Sequence, residues 1–163
     1  MKEPKKIVVQ DHHWRLEDLC TVEMQSGWKV VDLDSVNNRL FVLMNDLTLV
    51  EVCMLKKEIV LTLSVVTVAP EMENCEGVAF AMFKDLNMMA ISTSNSVCLF
   101  DYENELSHVT TIPASEVKYI TFVDVYIVML SESEDGSECT LACYQIDSEQ
   151  PEASITIKQF MGA

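Results

Sequence analysis

The chain has 163 residues, of which 26 are acidic and 11 are basic, so its formal net charge at pH 7 is −15. Apolar residues make up 49% of it, which is too many for an intrinsically disordered protein and enough to bury a core. The negative charge argues against direct binding to nucleic acid or to anionic membranes, because both need a positive surface. The length predicts one domain or a piece of a larger one.

Targeting and membrane segments are not indicated by the sequence. The first six residues are followed by only three apolar residues, 7–9, which are too few for the core of a secretory signal. The longest apolar run, residues 59–70, is too short to span a bilayer, so we expect a buried strand there and no membrane insertion. Cysteines in apolar, strand-like segments are typical of reduced core thiols, which indicates a cytoplasmic or nuclear location. These cysteines are Cys53, Cys75, Cys98, Cys139 and Cys143.

Strand-forming residues dominate the chain, because 39 of its 163 residues are Val, Ile or Thr. Short apolar runs recur between polar dipeptides that suit tight turns, such as Asn45-Asp46 and Ser94-Asn95. The runs fall into three consecutive sets of four predicted strands. These are 28–32, 39–44, 47–53 and 58–68; then 77–83, 86–93, 97–102 and 106–112; then 117–123, 126–131, 139–146 and 153–160.

Four strands repeated every 40 to 50 residues or so are typical of the blades of a β-propeller. We predict an all-β fold with three four-stranded antiparallel blades, at 27–70, 71–113 and 114–163. A β-sandwich is the alternative, since it is also built from many short strands. Residues 1–26 fit less well, and segments 6–10 and 15–24 are either two strands of an incomplete blade or, at 15–19, one helical turn. Three blades are too few for a typical ring, so we expect a partial propeller that a longer chain, a second chain or an unusual closure completes.

The predicted blades resemble a known family. WD40 propellers end the third strand of a blade with a Trp-Asp pair, whereas the matching positions here include Glu51-Val52 and Asp101-Tyr102. The chain is therefore similar to divergent WD40-like propellers, and within these to the N-terminal propeller of the Rod family of kinetochore scaffold proteins, of the Rod–Zwilch complex. The resemblance implies a non-catalytic surface that docks other proteins in mitosis or vesicle tethering, with Zwilch-like subunits as partners and kinetochore association in mitosis. It rests on residues 28–34, 39–46, 86–93 and 125–130.

Catalytic and metal-binding patterns are not found in the sequence. His12 and His13 are adjacent and would point to opposite faces of a strand, and Cys139 and Cys143 lie too far apart along a strand to share one ion. Nucleophilic catalysis needs a base beside Ser or Cys, but the chain has no Gly-x-Ser-x-Gly elbow and no phosphate-binding glycine loop. We expect His108 to be exposed or locally hydrogen-bonded. The sequence therefore predicts no enzymatic activity, no cofactor and no metal site.

An acidic loop between the second and third strands of the last set is the most individual feature. It is interpreted either as a solvated hairpin with Gly136 at its tip or as a functional loop, which is an acidic protein-docking patch or a site where Ser131 or Ser133 is phosphorylated. Trp28 and Trp14 are candidate interface aromatics, although Trp28, next to Gly27, is more typical of a core residue. The candidate loop residues are Ser131, Glu132, Ser133, Glu134, Asp135, Ser137 and Glu138.

A binding role agrees best with these features. We predict a non-catalytic protein–protein interaction module, part of a larger scaffold, whose partners have basic surfaces because the negative charge would steer them. Two alternatives stay open: a truncated propeller fragment with little function alone, and a small enzyme or ligand binder on another β fold. A deep pocket with convergent polar side chains would favour the latter.

Overall fold

A computed structural model describes residues 17–145 and 151–158 of the chain, and in them it has twelve β-strands and two short 3₁₀ helices. The helices, Val65–Thr67 and Pro70–Met72, lie between the fourth and fifth strands. No helix in this described part is long and apolar enough to cross a membrane. The strands are β1 (Val30–Val36), β2 (Arg39–Met44), β3 (Thr48–Cys53), β4 (Glu58–Ser64), β5 (Ala79–Phe83), β6 (Met88–Ser92), β7 (Val97–Asp101), β8 (Ser107–Ile112), β9 (Val117–Val123), β10 (Tyr126–Glu132), β11 (Glu138–Gln145) and β12 (Pro151–Lys158).

The strands form three four-stranded antiparallel sheets, in which each strand pairs with its neighbour in sequence. We call them blade 1 (β1–β4), blade 2 (β5–β8) and blade 3 (β9–β12). Their inner strands β1, β5 and β9 lie next to one another, so the three sheets stand side by side. This is the predicted arrangement of propeller blades rather than the alternative of a β-sandwich. The sheets lie within the predicted ranges 27–70, 71–113 and 114–163.

A left-handed residue shapes the first turn of every blade. Asn37 and Asp124 are the first residues of two-residue turns, Asn87 is the last residue of a four-residue turn, and their φ angles are 54°, 57° and 54°. Asn and Asp adopt this conformation more readily than other residues with side chains, because their short polar side chains bond to the nearby backbone. This explains how a chain with only four glycines makes so many tight hairpins.

Every blade also has a β-bulge between its third and fourth strands. The inserted residues are Val60, Val109 and Glu152, one in each outer strand. A bulge sets two residues against one and redirects the side chains that follow it. Side chains three residues apart on the outer strand, across the bulge, can therefore face the same way.

Two buried clusters hold the blades together. One lies between blades 1 and 2 and includes Phe41 and Phe100, and the other lies between blades 2 and 3 and includes Leu99 and Ile127. Blade 2 contributes to both, so β5 and β6 are buried throughout. The middle strands of blade 2, β6 and β7, are buried on both faces, whereas β10 in blade 3 alternates between buried and half-buried residues over most of its length.

The apolar run 59–70 is not a buried strand, contrary to the prediction. Its first part belongs to β4, the outermost strand of blade 1, where Ile59, Val60 and Leu61 are between 38% and 47% exposed. Its second part includes the 3₁₀ helix Val65–Thr67. Composition predicts a strand here but does not predict its place in the sheet, and an outermost strand has a neighbour on one side only.

Residues 17–25 form neither the predicted strand nor the helical turn. They pack instead on the face of blade 1 that is turned away from blade 2, where Leu19 and Val22 contact a cluster that includes buried Val50 and Val52. The predicted segment 6–10 lies outside the described residues. The proposal of an incomplete blade at 1–26 therefore stays a prediction, and the part of it that can be seen is a covering segment without strand pairing.

Arg39 links blade 1 to blade 2. Its guanidinium makes two hydrogen bonds to Glu51, of 2.9 Å and 3.2 Å, and donates a third, of 3.0 Å, to the backbone carbonyl of Tyr102 in blade 2. It also lies over the rings of Phe41 and Tyr102, at 5.0 Å and 5.4 Å from their centroids. The hydrogen bond to Glu51 raises the pKa of Arg39 more than burial lowers it, so this side chain is a permanently charged contact between two sheets.

We predict that Arg39→Met lowers the free energy of unfolding by about 1–2 kcal/mol, because Glu51 loses both of its guanidinium bonds while the packing volume is kept. Chemical denaturation followed by circular dichroism measures the change. Tyr102→Phe is the matched control: its buried hydroxyl has no hydrogen-bond partner in the described part of the chain, so its removal costs nothing. Equal losses for both variants would contradict the prediction.

Candidate functional site

The meander topology places the turns of the blades at two opposite ends. The turns between second and third strands lie at one end, together with the segments that connect one blade to the next. Hydrogen bonds join these parts: the Gly77 amide donates to the Asn45 carbonyl (2.9 Å), and the Glu116 amide donates to the Ser94 carbonyl (3.0 Å). We call this the hairpin end, and the predicted acidic loop lies on it.

The acidic loop is ordered by its own hydrogen bonds. Its proper span is 133–137, since β10 continues to Glu132 and β11 begins at Glu138. The Oδ1 atom of Asp135 accepts hydrogen bonds from the Ser133 hydroxyl (2.8 Å), the Ser137 amide (2.9 Å) and the Ser137 hydroxyl (2.7 Å). Gly136 closes the tip with a φ of 72°, as expected for a turn glycine.

These hydrogen bonds stabilise the ionised form of Asp135. The Ser137 hydroxyl, then the Ser137 amide and then the Ser133 hydroxyl lower the pKa of this exposed carboxyl to about 2. The loop is therefore folded around a carboxylate that is charged at any physiological pH.

The two candidate phosphorylation sites differ in their surroundings. Ser131 is half-buried within β10, opposite Thr140 of β11. Ser133 lies in the loop, where its hydroxyl donates to Asp135 and accepts from the Glu138 amide at 3.1 Å. A phosphoryl group on Ser133 would break the bond to Asp135 and add negative charge beside it. Phosphorylation stays a prediction, and its expected consequence is a rearranged hairpin.

Exposed carboxylates lie at both ends of the blades, but the hairpin end has more of them and fewer lysines. Two lysines lie at this end: Lys118 is engaged by Glu116, at 3.2 Å, and Lys29 is exposed beside Asn45. By contrast, Lys56, Lys57 and Lys84 lie in turns at the opposite end. The hairpin end therefore has a negative potential that would attract a basic surface. Its exposed carboxylates are Asp46, Glu71, Glu73, Glu76, Glu132, Glu134 and Asp135.

Trp28 is a packing residue in this structure. It is half-buried and contacts the cluster on the outer face of blade 1, and its indole Nε1 donates a 2.8 Å hydrogen bond to Asp46. Burial opposes ionisation of Asp46, but hydrogen bonds from Thr48 and Trp28 outweigh it and lower the pKa of this carboxyl. Trp28 therefore joins the covering segment to the β2–β3 turn. Its companion Trp14 lies outside the described residues.

The face of blade 3 that is turned away from blade 2 is apolar and open. Val128 and Leu130 of β10 are half-buried on it, and Tyr119 and Val123 of β9 are 65% and 55% exposed. Among the described residues, the buried clusters take no side chain from this face. We call it the far face of blade 3.

A further group of side chains was missed by the sequence analysis. Glu71, Cys98 and His108 come from three separate elements, and one donor atom of each lies within 4.8 Å of the others. The prediction that His108 is locally hydrogen-bonded is confirmed, since its Nε2 lies 2.8 Å from the Thr111 hydroxyl. Cys75, predicted to be in a strand, lies instead in the loop after Pro70–Met72. No spacing in the sequence joins these residues, because they meet through strand pairing and a bulge.

Comparison with known proteins identifies the fold of this chain but does not assign the chain to a family. No family model matches the chain, and no curated protein matches it by sequence. Solved structures do match: a chain from a mitotic checkpoint complex has a TM-score of 0.63 at 10% identity, and the WD40 repeats of RRP9 have 0.64 at 9%. These alignments cover 82% and 81% of this chain but only 39% and 40% of the others. Hydrazine synthase from Kuenenia stuttgartiensis matches with 0.59 at 12%, over 74% of this chain and 34% of that one.

The described residues thus fold as WD40-like propeller blades. The chain spans about two fifths of the length of the WD40 repeats that it matches, in agreement with three blades of a larger ring. At these identities the likeness concerns the fold, and the prediction of WD40-like blades is confirmed at that level. The finer resemblance to the Rod family stays a prediction.

We predict that Asp135 has an NMR titration midpoint of about 2 instead of the usual 3.8. Because the folded pKa is the lower one, the ordering of the hairpin is complete above pH 3.8 and is lost as the pH falls through about 2. The carbon shift of the Asp135 carboxyl and the amide shift of Ser137 would report both events.

Asp135→Asn should abolish the low-pH transition of Ser137 and increase its amide exchange at neutral pH. The matched control is Glu134→Gln, which removes an adjacent exposed charge and should leave the Ser137 amide unchanged. A titration of Asp135 near 3.8 would contradict the role assigned to the hydrogen bonds.

Proposed function

We propose that this chain is a protein-interaction module and that its hairpin end docks a partner with a basic surface. The observation that carries the proposal is the set of seven exposed carboxylates at that end, three of them on a hairpin that is ordered by its own hydrogen bonds. Such a surface would attract a basic partner over long distances and orient it on contact. WD40-like folds offer these turn surfaces on a rigid set of sheets.

A non-catalytic scaffold role is part of this proposal. The resemblance of residues 28–146 to Rod-type propellers supports it, and so does the likeness in fold to a chain from a mitotic checkpoint complex. On this basis we infer a role in kinetochore or mitotic-checkpoint assembly rather than in vesicle tethering. Zwilch-like subunits would be its partners, and the chain would act in the cytoplasm or nucleus and at kinetochores in mitosis.

The hairpin end can be tested with two matched double variants. Glu132→Gln/Glu134→Gln removes two negative charges from the hairpin, and Glu103→Gln/Glu105→Gln removes two charges, at the same spacing, from the opposite end. We predict that a basic partner recovered with the unaltered chain is lost by about tenfold from the first variant only, which corresponds to about 1.4 kcal/mol. Quantitative mass spectrometry of proteins that co-purify from mitotic and interphase extracts measures this.

The outcomes distinguish docking through the hairpin end from the more specific kinetochore role. Recovery of Zwilch-like subunits in mitotic extracts would support the kinetochore role, and another basic partner with the same variant dependence would support docking alone. Partners that are retained equally by both double variants would contradict docking through the hairpin end. Recovery of chaperones alone would favour the alternative of a fragment with little function of its own.

We further infer that the far face of blade 3 packs against additional blades. The face is apolar and open, whereas blade 1 has a covered outer face and blade 2 is covered on both sides. A ring of WD40 type supplies a further four-stranded sheet at this position. In a preparation of the 163 residues alone, this apolar face would be a surface on which copies of the chain associate.

We predict that the 163-residue chain alone self-associates with increasing concentration, and that Tyr119→Glu/Val123→Glu makes it monomeric. Two charges on the far face would have to be desolvated in any contact there, which disfavours association. Analytical ultracentrifugation gives the distribution of species. The control is Leu55→Glu/Leu86→Glu, because these residues are also exposed, at 75% and 49%, but lie in turns away from this face. A chain that stays monomeric at all concentrations would argue against an unfilled blade position.

A further inference from the structure

The side chains of Glu71, Cys98 and His108 meet at the outer part of blade 2. Glu71 lies in the 3₁₀ helix of the connection from blade 1, Cys98 lies in β7, and His108 lies in β8. One oxygen, one sulfur and one nitrogen from these residues all lie within 4.8 Å of one another. These are three different kinds of metal ligand brought together from three elements.

The Thr111 hydroxyl lies between the three side chains. It is 2.5 Å from Oε2 of Glu71, 2.8 Å from Nε2 of His108 and 3.5 Å from Sγ of Cys98. The other imidazole nitrogen, Nδ1, is 3.8 Å from Oε1 of Glu71. The three ligand atoms therefore surround one small volume, and the Thr111 hydroxyl oxygen contacts all three residues there.

A bulge creates this convergence. Thr110 pairs with Leu99 and His108 pairs with Phe100, so Val109 is the inserted residue. In a regular strand, His108 and Thr111 would point to opposite faces, because they are three residues apart. With Val109 inserted, both lie on the face that carries Cys98.

The propeller fold does not require these side chains. The strand register shows which residues are equivalent in the three blades. The position of Cys98 is taken by Val50 in blade 1 and by Ala142 in blade 3. The position of His108 is taken by Ile59 in blade 1 and by Pro151 in blade 3. All three blades make the same bulge, but among these positions only those of blade 2 carry a thiol and an imidazole. The shared bulge therefore does not account for them, although Cys98 also belongs to the buried cluster between blades 1 and 2 and His108 lies against Phe100, with ring centroids 5.6 Å apart.

The group is both anchored and accessible. Cys98 is fully buried, whereas the side chains of Glu71 and His108 are 47% and 24% exposed, so an ion could enter from solvent. Burial raises the pKa of the Cys98 thiol, although hydrogen bonds with Thr111 and Ser96 lower it. A cation bound to the sulfur would displace the thiol proton to water.

We propose that Glu71, Cys98 and His108 form a binding site for a single divalent transition metal ion, with zinc as the expected ion. Zinc accepts carboxylate, imidazole and thiolate ligands together, whereas magnesium and calcium prefer oxygen ligands alone. Water or the Thr111 hydroxyl would complete a tetrahedral site. Binding would draw the donors to about 2.0–2.3 Å from the ion.

A bound ion would join parts of the fold that lie far apart in sequence. It would fasten the connection from blade 1, through Glu71, onto the two outer strands of blade 2. Because the site would be absent from the unfolded chain, zinc would stabilise the fold. The site shares Glu71 with the carboxylates of the hairpin end, so His108→Gln, which leaves those carboxylates in place, tests metal binding separately from docking.

The test uses the reduced, metal-stripped 163-residue chain, titrated with zinc against a chromophoric chelator, and with cobalt as a spectroscopic probe. We expect one zinc per chain, a thiolate-to-cobalt charge-transfer band, and a higher melting temperature with zinc. His108→Gln and Glu71→Gln, both at accessible positions, should weaken binding by at least about tenfold. Cys98→Ser should abolish the charge-transfer band, and circular dichroism would check that each variant folds.

Matched controls identify the site against the other ligands in the chain. His12→Gln/His13→Gln, Glu73→Gln and Cys143→Ser change the same residue types elsewhere and should bind zinc as the unaltered chain does. The proposal is overturned if zinc binds the His108→Gln and Glu71→Gln variants as tightly as the unaltered chain. It is also overturned if the unaltered chain gives no charge-transfer band with cobalt.

Discussion

A β-sheet with two apolar faces must cover both of them, and this requirement organises the whole structure. Blade 2 meets it completely, since it packs against blade 1 through one cluster and against blade 3 through another. Each fully buried Val, Leu, Ile, Phe or Met side chain contributes about 1.5–3 kcal/mol, so these two interfaces outweigh any single turn or ion pair. Contacts such as that of Arg39 with Glu51 and Tyr102 align the sheets, and hydrophobic burial holds them together.

The end blades meet the same requirement in different ways. Blade 1 uses its own chain: Leu19 and Val22 cover its outer face, and the hydrogen bond from Trp28 to Asp46 ties this covering to a turn. Blade 3 has no such cover within the described residues, and Tyr119 lies exposed on its far face. The two ends of the row of blades therefore differ, because the outer face of blade 1 is covered and the far face of blade 3 is open. The proposed packing of further blades on the far face would account for this asymmetry with no change in the described blades.

Local features of the fold could be predicted from the sequence, whereas the position of a strand within its sheet could not. β-branched runs and Asn or Asp turns locate the strands, and Asn37, Asn87 and Asp124 do adopt the left-handed conformation that such turns need. The run 59–70 shows the limit. Its hydropathy resembles that of the central strand β6, but β4 is an outermost strand, and only the order of pairing distinguishes the two. Residues 17–25 show the same limit, because composition does not distinguish an apolar segment that covers a sheet from one that pairs with its strands.

The two candidate sites differ for the same reason. The acidic hairpin is continuous in sequence, so its residues could be named at once, and only the hydrogen bonds to Asp135 required the structure. Glu71, Cys98 and His108 are separated by 27 and 10 positions in the chain, and the strand period places His108 on the opposite face from Thr111. The inserted Val109 reverses that assignment. A one-residue bulge therefore converts an ordinary outer strand into one that directs an imidazole towards a buried thiol. If side chains are assigned to alternate faces of a strand without allowing for the bulge, every side chain beyond it is placed on the wrong face. A sequence search for a site of this kind must therefore allow for one inserted residue at the same place in each blade.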